Sequence, residues 1–243
     1  MSVPPVRWLP GRVTRIVFDR PHVRNALDAE SWDLLGEALD GFAQDPGARV
    51  LVLSGAGGAF CAGADLSGGI NASSGQVAAK MREIASIIVR LHTLPKPTLA
   101  QVDGAAVGVG MSLALGCDLV VASDRVRFGS VFSRHGMTPD GGLSWLLPRI
   151  VGSHKAKELA LFGRIIESAE ARELGLANLI VPAGELEAVV GEWCERLAAC
   201  APAAASGTLD LIDGAWTSTF AEALENEAAA QQHAVAELRR VRR

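Results

Sequence analysis

The sequence lacks the cysteine patterns that disulfide frameworks and structural zinc sites require. Its four cysteines, Cys61, Cys117, Cys194 and Cys200, form no C-x-x-C pair and have no nearby histidine at zinc-binding spacing. We therefore expect no disulfide framework and no metal site, and we assign no metal ligand. Unpaired cysteines of this kind are typical of a reducing compartment, so the cytoplasm is the expected location.

Long apolar runs and an excess of basic charge are also missing. The most apolar stretch, residues 98–122, contains Asp103, Asp118 and several glycines, which disfavours a membrane span. The N-terminal segment has no basic-then-apolar signal-peptide layout. Lysine and arginine number 23 against 27 acidic residues, a net charge of −4, and the basic residues are scattered. We expect no nucleic acid and no membrane among the partners.

The hydrophobic content, 49% of 243 residues, is sufficient for a large core. Short β-type runs alternate with helical periods along the first 150 residues, which favours an α/β core. The predicted strands are 12–19, 48–55, 98–104 and 117–123, and the predicted helices are 28–45, 75–94 and 108–116. Beyond residue 150 the predicted elements are helices at 153–162, 168–175, 184–200 and 218–240, with one strand-like run at 176–182. The sequence thus divides into an α/β core, residues 1–182, and a helical C-terminal segment, residues 183–243.

Two glycine-rich stretches are the main candidates for chemistry. They read "SGAGGAFCAGADL" (54–66) and "DGAAVGVGMSLALGCDL" (103–119), and each follows a predicted strand. Neither ends in G-K-[ST] and neither contains G-x-G-x-x-G, so both nucleotide-loop interpretations fail. Glycine lets the backbone approach a ligand closely, and free N–H groups from both stretches would form an oxyanion hole. The alternative is a pair of tight turns beside close-packed helices.

A third candidate is the single carboxylate of "MTPDGG", residues 137–142. Asp140 lies between a proline and two glycines. Pro-Asp-Gly favours a turn whatever the function, so the residues alone leave both a structural and a catalytic role open.

Several collinear motifs together resemble the enoyl-CoA hydratase/isomerase family, the crotonases. They are "RPHVRNAL", "AFCAGADL", the stretch "KPTLAQVDGAAVGVGMSLALGCDLVVASDRVRFG", "MTPDGG" with "LPRIVG", and "EARELGLANLIVP". The resemblance implies a crotonase-like spiral of ββα units with a helical C-terminal trimerisation region, assembled as a trimer or a dimer of trimers. It also implies acyl-CoA thioester substrates, with coenzyme A as part of the substrate and no separate cofactor.

Carried over position by position, the resemblance implies two oxyanion N–H donors, on Ala64 and Val109. Coenzyme A would lie along the positions listed here: Arg24, Ala26, Ala62, Ala64, Leu66 and Gly108. Arg24 also has an alternative interpretation as a solvated loop cation. Asp65 is expected to brace the turn instead of contacting substrate.

The departures from the family pattern carry most of the functional prediction. Members that hydrate a double bond resemble one another in two glutamates, and the matching positions here are Ser112 and Phe132. Hydration needs a base that activates water and an acid that protonates carbon, and neither a serine nor a phenylalanine side chain titrates in a range that serves either role. The turn at Asp140 most resembles the branch of epoxyphenylacetyl-CoA isomerases, whose aspartate enters the acyl pocket. A single carboxylate beside an oxyanion hole can move a double bond without consuming water.

We therefore predict an enoyl-CoA isomerase whose catalytic groups are Asp140, Ala64 and Val109. The alternatives are a hydratase without the two glutamates, a non-catalytic acyl-CoA-binding protein, and a dehalogenase-type enzyme in which Asp140 is a nucleophile facing Phe132. Burial of Asp140 among Phe132, Leu143 and Trp145 is expected to raise its pKa.

Three further expectations concern neighbouring segments. Ser112 is expected to bond its own helix backbone, as a helix serine usually does, with a hydrogen bond to ligand or water as the alternative. Loop 67–80 is expected to form the walls of the acyl pocket. The chain stops before the closing segment of the family, so Arg239, Arg240, Arg242 and Arg243 are expected to form a solvated tail, or else to contact phosphate.

Overall fold

A computed structural model of the chain describes residues 3–67 and 74–241. The strands are β1 (Val6–Leu9), β2 (Val13–Phe18), β3 (Val50–Gly55), β4 (Thr98–Val102), β5 (Ala105–Val107), β6 (Leu119–Ser123), β7 (Arg127–Gly129), β8 (Ile165–Glu167) and β9 (Leu179–Val181). The helices are α1 (Ala29–Gln44), α2 (Ser74–His92), α3 (Val109–Leu115), α4 (Leu143–Val151), α5 (Ser153–Phe162), α6 (Ser168–Glu173), α7 (Leu186–Ala199), α8 (Pro202–Gly214) and α9 (Phe220–Val241).

The predicted elements are present, with ends shifted by a few residues. The sequence pattern predicts none of β1, β5, β7, β8, α4 and α8. Three of these strands have only three residues, which is too short for an alternating pattern to show. Helix α8 begins at Pro202 and is built largely of small and polar residues, with no buried side chain to reveal an apolar face.

The larger sheet has six strands in the order β1-β2-β3-β4-β6-β9. Strand β1 is antiparallel to β2, and every other pair is parallel. The central strand β3 is buried on both faces, as parallel strands covered by helices are. Its alternate residues point to opposite faces, so Leu51 and Leu53 belong to one cluster and Val50 and Val52 to another.

Helices cover both faces of this sheet. On the first face, α1 buries Trp32, Leu35 and Phe42 behind an N-cap at Asp28, whose carboxylate accepts a 2.9 Å hydrogen bond from the backbone N–H of Ser31. On the second face, α7 belongs to the cluster that contains Val50 and Val52. Two buried layers therefore hold the strands in place.

A second sheet has three strands in the order β5-β7-β8. Strand β5 follows β4 directly and leads into α3, so the chain passes strand, strand, helix, and then repeats this order from β6 through β7 to α4. The fold is thus an α/β arrangement of successive strand–strand–helix units with a helical C-terminal region, the element order that the motifs implied. The carboxyl ends of β3 and β4 lie at one edge of the larger sheet, where α/β proteins bind ligands.

Helices α8 and α9 pack mainly against each other. Large apolar side chains are exposed on these helices and on the turn between them, among them Ile212, Trp216 and Phe220. The domain boundary at residue 182 and the trimeric assembly stay predictions. Arg240 forms a 3.7 Å ion pair with Glu237 on the exposed end of α9, whereas Arg242 and Arg243 lie outside the described residues.

Candidate active site

The two glycine-rich stretches meet in space, as an oxyanion hole requires. Cys61 and Ala106 form an isolated parallel bridge, in which the Cys61 N–H donates to Ala105 O at 2.8 Å and the Val107 N–H donates to Cys61 O at 2.9 Å. Gly63 has φ +103°, and a Cβ built there would lie 2.9 Å from Val107 O. Only glycine permits this conformation and this approach.

Several backbone groups next to the predicted donors are already engaged in hydrogen bonds. Leu27 N–H donates to Gly63 O and Asp65 N–H donates to Leu27 O, while Gly108 N–H donates to Gly129 O. Within residues 3–67 and 74–241, no acceptor takes the N–H of Ala64 or Val109. These two amides therefore stay available to a carbonyl oxygen that gains negative charge.

Asp140 lies in a turn that packs directly on α3. Gly141 has φ +59°, and a Cβ built there would lie 2.9 Å from Val109 Cγ2 and 2.8 Å from Ser112 Cβ. The Oδ1 atom of Asp140 is buried and has no hydrogen-bond partner among the described residues. Burial raises the pKa of this carboxyl to about 6. Asp140 is thus brought next to Val109, with a carboxylate suited to accept a proton near neutral pH.

The expected surroundings of Asp140 are partly wrong. Phe132 and Leu143 are buried in the main core, whereas Trp145 is 39% exposed. Its ring contacts His92, with ring centroids 5.5 Å apart, and stacks under the Arg149 guanidinium at 3.8 Å. The helical period places residue 145 on the exposed face of α4, while residues 143, 146 and 147 face the core.

Ser112 also differs from its expectation. Its Oγ–H donates to Asp140 O at 2.9 Å instead of to the backbone of its own helix. Tertiary packing decides this, because the Asp140 turn supplies an acceptor from a segment 28 residues away. Ser112 is fully buried and Phe132 is 5% exposed, so these positions carry a hydroxyl and an apolar ring in place of carboxylates.

The segment predicted to bind coenzyme A is held by residues that the sequence analysis missed. Arg20 donates to Ala26 O at 2.6 Å and pairs with Asp65 at 2.9 Å. Hydrogen bonds from Ser67 and Arg20 lower the pKa of Asp65 to about 2, in keeping with a bracing role. Buried Asn25 donates to Ala56 O and Ala59 O, which ties this segment to the first glycine-rich stretch. Arg20 and Asn25 lie within the "RPHVRNAL" motif, residues 20–27, which is the signal that could have found them.

The five side chains predicted to face coenzyme A along residues 24–66 lie on this braced surface. Arg24 is exposed and has φ +52°, and its carbonyl accepts the Ala62 N–H at 3.0 Å. Within the part of the chain that the structure describes, its guanidinium has no ion pair. Ala26 and Ala62 are half-buried, and Ala64 and Leu66 are exposed. The two alternatives for Arg24, solvated cation and phosphate contact, both stay open.

The predicted wall of the acyl pocket is only partly described. Residues 68–73 of loop 67–80 lie outside the described residues. Helix α2 begins at Ser74 and contributes Ile84, Ile87 and Ile88 to the main core.

A cavity of about 630 Å³ lies elsewhere, between α4, α8 and the amino ends of β4, β6 and β9. Asp118, in its wall, accepts hydrogen bonds from the N–H and Oγ of Thr98 at 2.7 and 2.8 Å. None of the predicted site residues lines this cavity, so it is separate from the oxyanion site.

The described residues contain neither a candidate metal site nor a candidate membrane-spanning helix. No group of three or more histidine, cysteine, aspartate or glutamate side chains within residues 3–67 and 74–241 could hold a metal ion. Over the same ranges, no helix combines the length and the apolar character that a membrane crossing needs.

Comparison with known proteins assigns the chain to a family. A profile of the Enoyl-CoA hydratase/isomerase family matches residues 10–241. The chain belongs to this family. A crystal structure of a Thermobifida fusca protein in complex with CoA superposes on this crotonase with a TM-score of 0.89, at 31% identity, covering 98% of this chain and 95% of that one.

The curated relatives carry both activities in their names. "1,2-Epoxyphenylacetyl-CoA isomerase" of Escherichia coli is 38% identical over 155 residues, which are 62% of this chain and 59% of the relative. "Probable enoyl-CoA hydratase" of Rhodobacter capsulatus is 40% identical over 147 residues, 60% of this chain and 56% of the relative. The alignments thus span less than two thirds of these relatives, and likeness by itself favours neither activity.

Proposed function

We propose that this crotonase is an enoyl-CoA isomerase that moves a carbon–carbon double bond by proton transfer. The thioester carbonyl of a 3-enoyl-CoA accepts hydrogen bonds from the N–H groups of Ala64 and Val109. The Asp140 carboxylate removes a proton from C2, and the electron pair delocalises onto the thioester oxygen as a dienolate. Asp140 then returns a proton to C4, which leaves a conjugated 2-enoyl-CoA and the original carboxylate. No water is consumed.

The observation that carries this proposal is the environment of Asp140. Its Oδ1 is buried without a hydrogen-bond partner in residues 3–67 and 74–241, its pKa is raised to about 6, and its turn packs on Val109 through Gly141. An ordinary turn aspartate would bond nearby amides and keep a low pKa. A carboxylate that burial has made more basic, on a turn packed against the helix that begins with the Val109 amide, fits a general base that serves an enolate.

Hydration is the less favoured activity because Ser112 and Phe132 stand at the two positions where hydrating relatives have glutamates. The hydroxyl of Ser112 is committed to Asp140 O, and Phe132 is an apolar ring in the core. Neither activates water or protonates carbon. We place coenzyme A along Arg24, Ala26, Ala62 and Leu66, in line with the resemblance to family members.

The decisive experiment incubates a panel of 2-enoyl- and 3-enoyl-CoA thioesters with the enzyme in heavy water and follows mass and conjugated-thioester absorbance. Double-bond migration, with or without deuterium at the α- or γ-carbon, supports the isomerase. Rapid addition of water to 2-enoyl-CoA contradicts it and makes the protein a hydratase. Tight binding with no chemical change contradicts it in favour of an acyl-CoA-binding protein.

The pH dependence of isomerisation follows from the state of Asp140. Only the carboxylate accepts a proton, so kcat/KM should rise as pH increases through about 6 and reach a plateau above it. The measurement is a kcat/KM profile between about pH 5 and pH 8, the range that spans this titration. A flat profile over that range would contradict the role of Asp140 as base.

The oxyanion donor on α3 can be removed without removing the helix. Val109 is the first residue of α3, a position where proline is tolerated and where it deletes the N–H. We expect Val109→Pro to lower kcat about 10²- to 10³-fold, the usual effect of losing one oxyanion donor.

The matched control for this variant is Val109→Ala, which shortens the side chain and keeps the N–H. We expect Val109→Ala to retain most of the kcat, while both variants keep the circular dichroism spectrum of the wild type. Equal losses in the two variants would show that the side chain, not the amide, matters at this position.

A further inference from the structure

Ser112 lies on the same face of α3 as the oxyanion donor. It follows Val109 by three residues, about one helical turn, and it is fully buried. A Cβ at Gly141 would touch Val109 Cγ2 and Ser112 Cβ at 2.9 and 2.8 Å. One face of α3 therefore meets the Asp140 turn at both residues.

The main-chain carbonyl of Asp140 is held from two sides. Ser112 Oγ–H donates to it at 2.9 Å, and the N–H of Leu143, at the start of α4, donates to it at 3.1 Å. The carboxylate itself has a buried oxygen with no partner among the described residues. Because no hydrogen bond from the described residues fixes this oxygen, the position of the carboxylate depends on the backbone that Ser112 and Leu143 hold.

We propose that Ser112 is a positioning residue that fixes the Asp140 carboxylate relative to the Val109 N–H, so that base and oxyanion donor act on one thioester. The inference rests on the proposed isomerase function. In this role Ser112 acts through the backbone of Asp140, whose carbonyl accepts its Oγ–H at 2.9 Å, and takes no part in the proton transfer. The helix position that matches a glutamate in hydrating relatives thus serves here to hold the base.

The test is Ser112→Ala, with kcat, KM and the pH profile as readouts. A carboxylate displaced by a fraction of an ångström loses alignment with C2, so kcat should fall about 10- to 100-fold while KM changes little. A loosened turn admits water to Asp140, so the apparent pKa in the profile should fall from about 6 toward the ordinary range of a carboxyl.

Ser123→Ala is the matched control. Ser123 is also fully buried and its Oγ–H donates to Asp103 Oδ1 at 2.6 Å, on β6 instead of α3. We expect both variants to lower Tm, because each loses a buried hydrogen bond, and only Ser112→Ala to lower kcat and the Asp140 pKa. If Ser112→Ala folds poorly, Ser112→Cys replaces it, since it fills the site and is a much weaker donor.

Failure of this inference and failure of the proposed function give different results. Unchanged kcat and pH profile in Ser112→Ala, with Asp140→Asn inactive, would overturn the positioning role and leave the isomerase standing. If Asp140→Asn is as active as the wild type, the proposed function fails. The carboxyl pKa of Asp140, measured without substrate by carbon-13 NMR, then still tests Ser112, because an unchanged pKa in Ser112→Ala overturns the inference.

Discussion

Replacing Asp140 with asparagine should lower the isomerisation kcat about 10²- to 10⁴-fold, the contribution of a general base. Asparagine has nearly the same shape and cannot accept the C2 proton. Binding of a non-reactive acyl-CoA analogue should change little, because the oxyanion amides of Ala64 and Val109 stay in place. The measurement is steady-state kinetics with 3-enoyl-CoA, together with the dissociation constant of the analogue.

The same substitution should stabilise the protein at neutral pH. Because burial raises the folded-state pKa of Asp140 to about 6, the ionised group destabilises the folded state at every pH above the unfolded pKa of about 3.8. Asp140→Asn should therefore increase the free energy of unfolding by about 1 to 2 kcal/mol at pH 7 to 8, and the gain should vanish as pH falls toward 4.

Asp33→Asn is the control for both effects. Asp33 is exposed on α1, so the variant removes one negative charge without touching the site. It should match the wild type in kcat and in the pH dependence of stability. Asp140→Asn with full activity would contradict the base assignment, and a loss of stability at pH 8 would contradict the destabilising burial of its charge.

The second large effect is expected at Gly110. A Cβ at this position of α3 would lie 2.3 Å from Cys61 O and 2.9 Å from Cys61 C. These are backbone atoms, which cannot rotate away, so Gly110→Ala must push α3 off the Cys61–Ala106 bridge. We expect a loss of about 2 to 4 kcal/mol of stability, in the range of severe overpacking, and loss of most of the activity as the two oxyanion amides separate.

Gly191→Ala is the control that isolates this clash. Gly191 lies inside α7, and nothing would lie within 4 Å of its added Cβ. Alanine favours helix over glycine, so this variant should be as stable as the wild type or up to about 1 kcal/mol more stable. Thermal unfolding and kcat of both variants provide the comparison. A stable, active Gly110→Ala enzyme would show that α3 can shift without consequence for the site.

The sequence predicted the longer helices and strands because each contains several repeats of the apolar pattern. Trp32, Leu35, Leu39 and Phe42 form one apolar face of α1, and the structure buries all four. The two glycine-rich stretches could be assigned to a common site only through the family resemblance. Periodicity contains no information on which loops meet, and the Cys61–Ala106 bridge joins segments 45 residues apart.

The error at Trp145 and the correction at Ser112 have the same origin. Residue 145 is near Asp140 in sequence, yet the helical period of α4 turns its ring toward His92 and Arg149. Ser112 could have bonded its own helix, yet the Asp140 carbonyl, which belongs to a segment distant in sequence, lies 2.9 Å from the Ser112 Oγ. In both cases the direction of a side chain depends on neighbours that are remote in the chain.

The sequence by itself determined the family, the α/β fold class, the missing glutamates at Ser112 and Phe132, and the single carboxylate in the Pro-Asp-Gly turn, since each depends on residue identity or on local spacing. Only the tertiary structure decided that Asp140 is a half-buried acid with a buried Oδ1 and a raised pKa instead of a solvated turn residue. Residue identity can be read from the sequence, but burial depends on how distant segments of the chain pack together. Gly141 lets the turn pack on α3, and the exclusion of water there raises the pKa of the Asp140 carboxylate.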